Sequence, residues 1–194
     1  MEAFQLQKGK YTKEEYLSEL RKSEHKLEYI DGVIRMMAGG SRNHNRIAKN
    51  AFRSLDGNPK GCEVLLSDTA VAISEASRYY FPDLSAVCEQ STTTEEGLEK
   101  VTNPCLIIEV LSEGTVDADR SEKFHAYRQL ESFKEYILID SRNLSIETFY
   151  KESNRLWIIR SYFKSDQEVE IRTLNLNISV GTFYKCIDLA SGHS

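Results

Sequence analysis

Hydrophobic and polar positions near the start of the chain predict a helix followed by a hairpin. In "YTKEEYLSELRKS" the apolar residues recur about one helical turn apart, and Thr12 with Glu15 three residues later forms a capping-box pattern. The next stretch, "KLEYIDGVIRMMAG", consists of two short apolar runs around Asp31-Gly32. An Asp-Gly pair between such runs is typical of a β-hairpin turn.

The stretch 41–55 has an amphipathic pattern and predicts a second helix, with Ser41 as its N-cap. At about 100° per residue, four basic side chains fall within roughly a 60° arc opposite the apolar face. This basic stripe is either a solvated helix face, which is the commoner case, or a surface that grips a phosphate backbone. Its members are Arg42, Arg46, Lys49 and Arg53.

Most of the remaining chain is predicted to form strands. Apolar runs indicate one or two strands in "CEVLLSDTAVAIS", a single strand in "YYFPDLSAVC" and another in "PCLIIEVLS", with "STTTEEGLEKVTN" as a polar loop. A helix is predicted over 115–132 with Thr115 as its N-cap, followed by strands in "FKEYILID", "LSIETFYK" and "RLWIIRSYF". Because that helix connects two apolar strands, we expect a βαβ crossover and a parallel pair. The order predicts an α/β fold: a mixed β-sheet flanked by helices, with additional antiparallel strands.

Composition narrows the class of protein. The 194 residues are 40% hydrophobic and 28% charged, which is typical of one soluble domain, expected here over 1–194. No apolar run approaches the roughly 20 residues that span a bilayer, and the first residues lack the apolar core of a signal peptide, so we expect a cytoplasmic protein. The net charge of −5 argues against binding nucleic acid through the overall field, so a nucleic-acid role requires a local site.

Cysteine and histidine spacing predicts neither a structural zinc site nor a disulfide framework. The chain has no CxxC pair, and its four histidines show no metal-ligand spacing. We therefore expect reduced cysteines that serve as small core residues. They are Cys62, Cys88, Cys105 and Cys186.

Two carboxylates interrupt apolar strands, Asp83 in "FPDLSAV" and Glu109 in "LIIEVLS". Burying an ionised carboxylate without a partner is costly, so such a group shifts its pKa or recruits a cation. Each acid alone fits a solvated or salt-bridged strand end. Together they predict a hard-cation site, since Mg²⁺ prefers oxygen ligands and needs few protein carboxylates.

Lys123 follows Asp119 by one helical turn and precedes Tyr127 by another, so the three share a helix face. One interpretation is an exposed Asp119–Lys123 pair with Tyr127 covering the core edge. In the other interpretation, Lys123 reaches over the strand end toward a metal-bound water and a scissile phosphate.

These residues resemble the PD-(D/E)xK nuclease superfamily: a "PD" pair is followed by a strand-borne glutamate and a nearby lysine. More specifically, the ordered segments "YTKEEYL", "HKLEYIDGVIRMMAGGSRNHNRI", "LLSDTAVAI", "YYFPDLSAV" and "PCLIIEVLSEGTVDADRSEKFHAYRQLESFKEYILID" resemble the bacterial Uma-two-type family of restriction-endonuclease-like proteins. With the trailing strands they cover about 11–184.

The resemblance implies a restriction-endonuclease-like core and a metal-dependent phosphodiesterase site. Asp83 and Glu109 would bind Mg²⁺, with Mn²⁺ as a possible substitute. Because Leu111 stands where the plain motif has its lysine, the resemblance implies that Lys123 takes that role. The backbone carbonyl of Val110 and the acid Glu28 would add metal or neighbouring contacts. Asp68 and His44 would have supporting roles, as would Asp119 and Tyr127 of the helix face.

The hypothesis is therefore Mg²⁺-dependent hydrolysis of nucleic-acid phosphodiesters, with DNA as the expected substrate and a homodimer as the expected assembly, since duplex cleavage needs two cuts. A non-catalytic nucleic-acid-binding or regulatory module with the same fold is the main alternative. A metal-dependent hydrolase of another phosphoester is a third.

Overall fold

A computed structural model gives the fold, and it describes residues 9–37, 39–73, 78–89, 93–95, 98–114, 116 and 118–189. None of the helices within these ranges is long and apolar enough to cross a membrane. In chain order the elements are α1 (Lys13–Lys22), β1 (Leu27–Ile30), β2 (Val33–Met36), α2 (Arg42–Leu55), β3 (Glu63–Leu66), β4 (Ala70–Ile73), β5 (Arg78–Tyr80), β6 (Leu84–Val87), β7 (Thr93–Glu95), β8 (Leu98–Val101), β9 (Leu106–Leu111), a π-helix (Ala118–Lys123), α3 (Phe124–Tyr127), β10 (Glu135–Asp140), β11 (Ile146–Ser153), β12 (Leu156–Tyr162), β13 (Glu168–Ile171), β14 (Leu176–Ser179) and α4 (Val180–Phe183).

The first sheet has the order β2-β1-β5-β4-β8-β7 and carries α1 against it. The predicted capping box begins α1: the Glu15 backbone N–H donates to Thr12 Oγ1 at 3.2 Å, and the Thr12 N–H donates to Glu15 Oε2 at 2.9 Å. The predicted hairpin is also present. Asp31 and Gly32 adopt φ of 50° and 93° between β1 and β2, which sets Glu28 directly opposite Arg35.

The second sheet has the order β12-β11-β10-β9-β6-β3 and contains the buried centre of the fold. All six residues of β9 are buried. The predicted βαβ crossover is confirmed, because β9 and β10 pair in parallel, whereas β6 lies antiparallel on the other side of β9. The fold is thus a mixed α/β architecture with antiparallel outer strands, as the pattern predicted.

The prediction of one strand over "YYFPDLSAVC" is wrong. The segment forms β5 in the first sheet and β6 in the second, and residues 81–83 cross between the sheets. Pro82 has no N–H to donate to a ladder, so strand pairing stops where it stands. Asp83 consequently lies at the junction of the two sheets, directly before β6.

Two further predictions need correction. The "STTTEEGLEKVTN" segment is not a loop throughout, since β7 and β8 form an edge hairpin whose polar sequence hid the strand pattern. The helix predicted over 115–132 is a π-helix followed by the short α3, which ends at Tyr127; Thr115 lies outside the described residues. A π-helical turn of this kind occurs often at functional sites.

The prediction of reduced cysteines is wrong for one pair. Cys62 and Cys88 form a disulfide, Cys105 is buried with a free thiol, and Cys186 is free and exposed. Cys62 directly precedes β3 and Cys88 directly follows β6, and these antiparallel strands pair so that the two cysteines meet at one sheet end. Spacing along the chain carries no signal for such a non-local pairing.

Gly32 provides a test of the hairpin that carries Glu28 and Arg35. Gly32 has a backbone φ of 93°, which residues with a side chain rarely adopt. An added Cβ would also lie 3.2 Å from the Lys10 side chain. We expect Gly32→Ala to lower the free energy of unfolding by about 1–2 kcal/mol, measured by urea denaturation.

The matched control for this change is Gly39→Ala. Gly39 has no positive φ, and nothing lies within 4 Å of its added Cβ. We expect a change within about 0.5 kcal/mol there. Equal effects of the two substitutions would contradict the assigned turn geometry.

Candidate active site

Three chain segments bring Asp83, Glu109 and Lys123 together. Asp83 stands at the start of β6, Glu109 lies in the middle of the buried strand β9, and Lys123 ends the π-helix that follows β9. Antiparallel pairing of β6 with β9 places Leu84 opposite Ile108, so Asp83 and Glu109 occupy adjoining positions. The crossover after β9 returns Lys123 over the same strand.

The Lys123 ammonium is the centre of the cluster and is buried with three carboxylates. Its Nζ lies 3.0 Å from Asp119 Oδ1, 3.1 Å from Glu109 Oε1 and 3.4 Å from Glu28 Oε1. The residues are 2–6% exposed. Only the Glu109 contact has hydrogen-bond geometry; the buried Glu28 Oε1 and Asp119 Oδ1 accept no hydrogen bond and contact the ammonium as ion pairs alone.

Glu109 has two differently occupied oxygens. Its Oε1 accepts hydrogen bonds from Lys123 and from the Tyr127 hydroxyl, both at 3.1 Å. Its Oε2 faces Asp83, whose backbone N–H donates to it at 3.4 Å. Lys123 and Tyr127 therefore hold one side of the carboxylate, and the other side is turned toward the sheet junction.

Asp83 is fixed through one carboxylate oxygen. The Val110 backbone N–H donates to Asp83 Oδ2 at 2.7 Å, and His44 Nε2 lies 3.2 Å from the same oxygen. Val110 therefore contacts Asp83 through its N–H group, and a metal contact of its carbonyl stays a prediction. The side chains of Asp83 and His44 are each 16% exposed, so this side of the cluster reaches the surface.

Burial and mutual charge shift the protonation equilibria of the cluster. Burial raises the pKa of Glu109 well above its usual range, and Lys123 opposes this rise. Burial alone would lower the pKa of Lys123, but the charges of Glu109, Glu28 and Asp119 raise it well above its usual range. Burial likewise disfavours protonated His44, yet its interactions with Asp83 raise its pKa overall. The ammonium is therefore firmly protonated within a site that is rich in negative charge.

A neighbouring ion pair, which the sequence pattern did not indicate, joins the hairpin to the π-helix. Both guanidinium NH groups of Arg35 donate to the Glu122 carboxylate at 3.0 Å, and the Tyr80 hydroxyl donates to Glu122 at 3.3 Å. The pattern carried no signal for this pair, because Arg35 and Glu122 are 87 residues apart in the sequence.

Other predicted site residues lie away from this cluster. The Asp68 side chain is 88% exposed and forms a surface ion pair with Lys26, 2.8 Å away. The basic stripe is exposed along α2, the helix that also brings His44 to Asp83. Within the stripe, Arg46 donates to the Cys186 carbonyl at 3.2 Å. Asp119 and Tyr127, by contrast, both lie in the cluster.

Comparison with known proteins identifies the family of the chain. A profile of the Uma2 family, described as "Putative restriction endonuclease", matches residues 3–181. The chain belongs to the Uma2 family. Membership supports a nuclease, which is a hydrolase that acts on nucleic acid.

Relatives of this Uma2 protein extend over nearly its whole length. Two are from Synechocystis sp. (strain ATCC 27184 / PCC 6803 / Kazusa). "Uncharacterized protein sll1609" is 33% identical over 167 residues, which cover 85% of this chain and 94% of the relative. "Uncharacterized protein slr1290" is 33% identical over 180 residues, which cover 91% of this chain and 92% of the relative.

A solved structure shares the fold. It is the crystal structure of "a putative nuclease belonging to DUF820" from Anabaena variabilis ATCC 29413. It superposes with a TM-score of 0.70 at 17% identity, covering 89% of this chain and 97% of that chain. At this identity the similarity establishes the fold alone, a mixed α/β architecture with mixed sheets flanked by helices.

The charge balance of the cluster can be tested by removing its central cation. Lys123→Met leaves Glu28, Glu109 and Asp119 buried without the ammonium, and we expect a loss of about 3–5 kcal/mol in the free energy of unfolding without divalent metal. A carboxyl whose pKa is raised by folding contributes stability that is lost as pH rises. The loss should therefore be larger near about pH 8 than near about pH 5.5 in urea denaturation.

Lys22→Met is the matched control for that substitution. Lys22 forms an ion pair with Glu19 at 3.0 Å, and its side chain is 67% exposed. Removing this surface pair should change stability by no more than about 1 kcal/mol. A similarly small loss at Lys123, independent of pH, would contradict the role of the ammonium.

Proposed function

We propose that this Uma2 protein is a divalent-metal-dependent nuclease that hydrolyses phosphodiester bonds in DNA. One observation carries the proposal: a buried cluster holds more carboxylates than cations, and Glu109 turns one oxygen toward Asp83 at the partly exposed sheet junction. Family membership supports the reaction class. The cluster supports the chemistry, because excess buried negative charge favours a bound cation.

The donor set fits a hard divalent cation. Glu109 Oε1 is engaged by Lys123 and Tyr127, which leaves Oε2 for a metal on the Asp83 side. Both contacts of the Asp83 carboxylate fall on Oδ2, which leaves Oδ1. Two carboxylate oxygens completed by water are typical of Mg²⁺, and Mn²⁺ accepts the same oxygen ligands. Asp83 and Glu109 would therefore hold the metal.

Glu28 and Asp119 have a different role in this proposal. Each lies against the Lys123 ammonium, so they surround the lysine and not the Asp83 side of Glu109. They keep the pKa of Lys123 high and fix the direction of its side chain.

When bound, the metal would activate a water molecule and neutralise charge on the phosphoryl oxygens. The chain's own groups supply orientation and proton control. An ammonium has three N–H donors, and only the contact with Glu109 uses hydrogen-bond geometry. Lys123 is therefore able to direct a further donor at the attacking water or at a phosphate oxygen, stabilising negative charge in the transition state.

Tyr127 and His44 position the two metal-binding carboxylates. The Tyr127 hydroxyl shares Glu109 Oε1 with Lys123, which fixes the rotation of the carboxylate. His44 lies against the side of Asp83 that the Val110 N–H also holds. Each carboxylate is thus held through one oxygen, so its other oxygen is preorganised for a metal and the side chains need to move little when the metal binds.

The proposed partners are DNA and a second copy of the chain. The helix α2 carries the exposed basic stripe, which would bind a phosphate backbone on the helix face about 180° around from His44 and Asp83. Cleavage of both strands of a duplex needs two such sites, which favours a homodimer.

Removing either metal-binding carboxylate tests the proposal. Asp83→Asn and Glu109→Gln keep the size and the hydrogen-bond acceptor but remove the charge. We expect each to reduce Mn²⁺- or Mg²⁺-dependent nicking of plasmid DNA by at least about 100-fold. Each should also abolish the metal-induced rise in melting temperature that the wild type shows.

Asp68→Asn serves as the control, since Asp68 is exposed and paired with Lys26. It should leave both cleavage and the metal-induced thermal shift unchanged. Wild-type cleavage by purified Asp83→Asn protein would rule out the assigned metal site. A metal-induced shift without cleavage of any DNA or RNA would favour a non-catalytic module.

The basic stripe makes a separate prediction about DNA binding. If Arg42 and Lys49 contact phosphates, the double variant Arg42→Glu/Lys49→Glu should reduce the slope of log K against log salt by about 2. Fluorescence anisotropy with a DNA duplex in Ca²⁺ measures this slope. Arg155→Glu, on the exposed turn between β11 and β12, is the control and should not change it. An unchanged slope in the double variant would show that the stripe is a solvated helix face.

A further inference from the structure

A second cluster of reactive side chains lies at the opposite end of the strands that carry the acid cluster. Cys62, Cys88 and Cys105 offer three sulfur atoms that all lie within 4.8 Å of one another. Cys88 is five residues beyond Asp83, roughly 16 Å along an extended chain. The thiol cluster is thus a separate site, and the proposed nuclease chemistry does not use it.

The fold holds these sulfurs together from three directions. Cys62 and Cys88 flank the paired strands β3 and β6, and Cys105 directly precedes β9, which pairs with the other side of β6. The Cys105 N–H donates to the Ala86 carbonyl at 2.8 Å, which fixes its backbone. Cys105 Sγ lies 2.9 Å from Cys88 Sγ, so the third sulfur directly contacts the disulfide.

A cavity of about 770 Å³ opens beside the cysteines and gives them access to solvent. Three basic residues also line it, Lys60, Lys134 and Arg172. Cys88 is exposed, whereas Cys62 and Cys105 are 5% and 7% exposed. The cluster is therefore mostly enclosed but reachable through the Cys88 side.

We propose that, after a thiol or phosphine reductant opens the Cys62–Cys88 bond, the three cysteines bind one thiolate-preferring d¹⁰ cation, Zn²⁺ or Cu⁺. Reduction adds two electrons and two protons to the disulfide. Metal binding then releases the three thiol protons to solvent as three metal–sulfur bonds form.

Sulfur spacing fits such an ion. Thiolates at about 2.3 Å from Zn²⁺ in a tetrahedral arrangement lie about 3.8 Å apart, and the sulfurs here already lie within 4.8 Å. Cys88 Sγ is bonded to Cys62 Sγ and lies 2.9 Å from Cys105 Sγ, so the three sulfurs must move apart after reduction to reach that spacing. With three protein ligands, a fourth position remains toward the cavity.

The donor set also selects the class of metal. Among the described residues, neither imidazole nor carboxylate joins this three-ligand group. Sulfur-only ligands favour Zn²⁺ and Cu⁺ over Mg²⁺ and Mn²⁺, the opposite preference from Asp83 and Glu109. Three thiolates with a divalent ion carry a net charge of −1. The cavity is lined by three basic residues, Lys60, Lys134 and Arg172, and by two acidic ones, Glu89 and Glu131, so its lining has a net charge of +1.

The experiment uses the full chain reduced with a phosphine, freed of reductant without oxygen, and shown to contain four reactive thiols. Co²⁺ serves as a spectroscopic probe, since a thiolate–Co²⁺ charge-transfer band arises only from cysteine ligation and not from the carboxylate cluster. Zn²⁺ and Cu⁺ are then titrated separately against chromophoric chelators to distinguish the two ions.

We expect one equivalent of metal per chain and protection of three of the four thiols from a disulfide-forming reagent. Cys105→Ser should remove the charge-transfer band and weaken metal binding by more than roughly 100-fold. Loss of a hydrogen-bond partner of a ligand costs roughly 10–100-fold, and loss of the ligand itself should cost more. Cys186→Ser, which alters the exposed free cysteine, is the matched control and should bind as the wild type does.

Thiol protection in the wild type keeps the test valid if a cysteine variant fails to fold. Fully reduced wild-type protein that binds neither Zn²⁺ nor Cu⁺ and leaves all four thiols reactive would overturn the proposal. A Cys105→Ser variant that folds and binds metal with wild-type affinity would overturn it as well.

Discussion

The contact of one buried ammonium with three carboxylates organises the candidate site. Lys123 ends a π-helix and meets Glu28 from the first sheet, Glu109 from the second sheet and Asp119 from its own turn. Without that charge, three acids would lie together in a low-dielectric interior, where mutual repulsion and lost hydration oppose folding. The Lys123 ammonium therefore links the two sheets and the π-helix, and its contact with Glu109 sets the rotation of that carboxylate.

The chemistry of the site follows from that orientation. Because Lys123 and Tyr127 occupy one oxygen of Glu109, the other faces Asp83 at the sheet junction. Asp83 is itself held through its Oδ2 oxygen, by the Val110 N–H and by His44. Lys123 thus contacts one oxygen of Glu109 and the proposed metal would bind the other, so the lysine and the metal do not compete for one position.

Sequence patterns predicted much of the site but less of its setting. Asp83 and Glu109 were visible because apolar neighbours made ionisable groups conspicuous, and helical periodicity linked Lys123 to Asp119. The capping box, the hairpin and the parallel β9–β10 pair were predictable from local rules. The break at Pro82, which places consecutive strands in different sheets, was not, because strand partners are chosen by tertiary packing. The same limit hid the cysteine cluster, whose members meet only when β3, β6 and β9 are aligned.

In the proposed site, Asp83 and Glu109 bind a divalent cation while Lys123 stays on the other oxygen of Glu109. Anomalous diffraction from a crystal soaked in Mn²⁺ tests it most directly. We expect an anomalous peak at coordination distance, about 2.0–2.4 Å, from one oxygen of each of the two carboxylates. Lys123 Nζ should still be hydrogen-bonded to Glu109 Oε1. A saturated crystal without a peak at these carboxylates, or with Mn²⁺ in the place of the Lys123 ammonium, would contradict it.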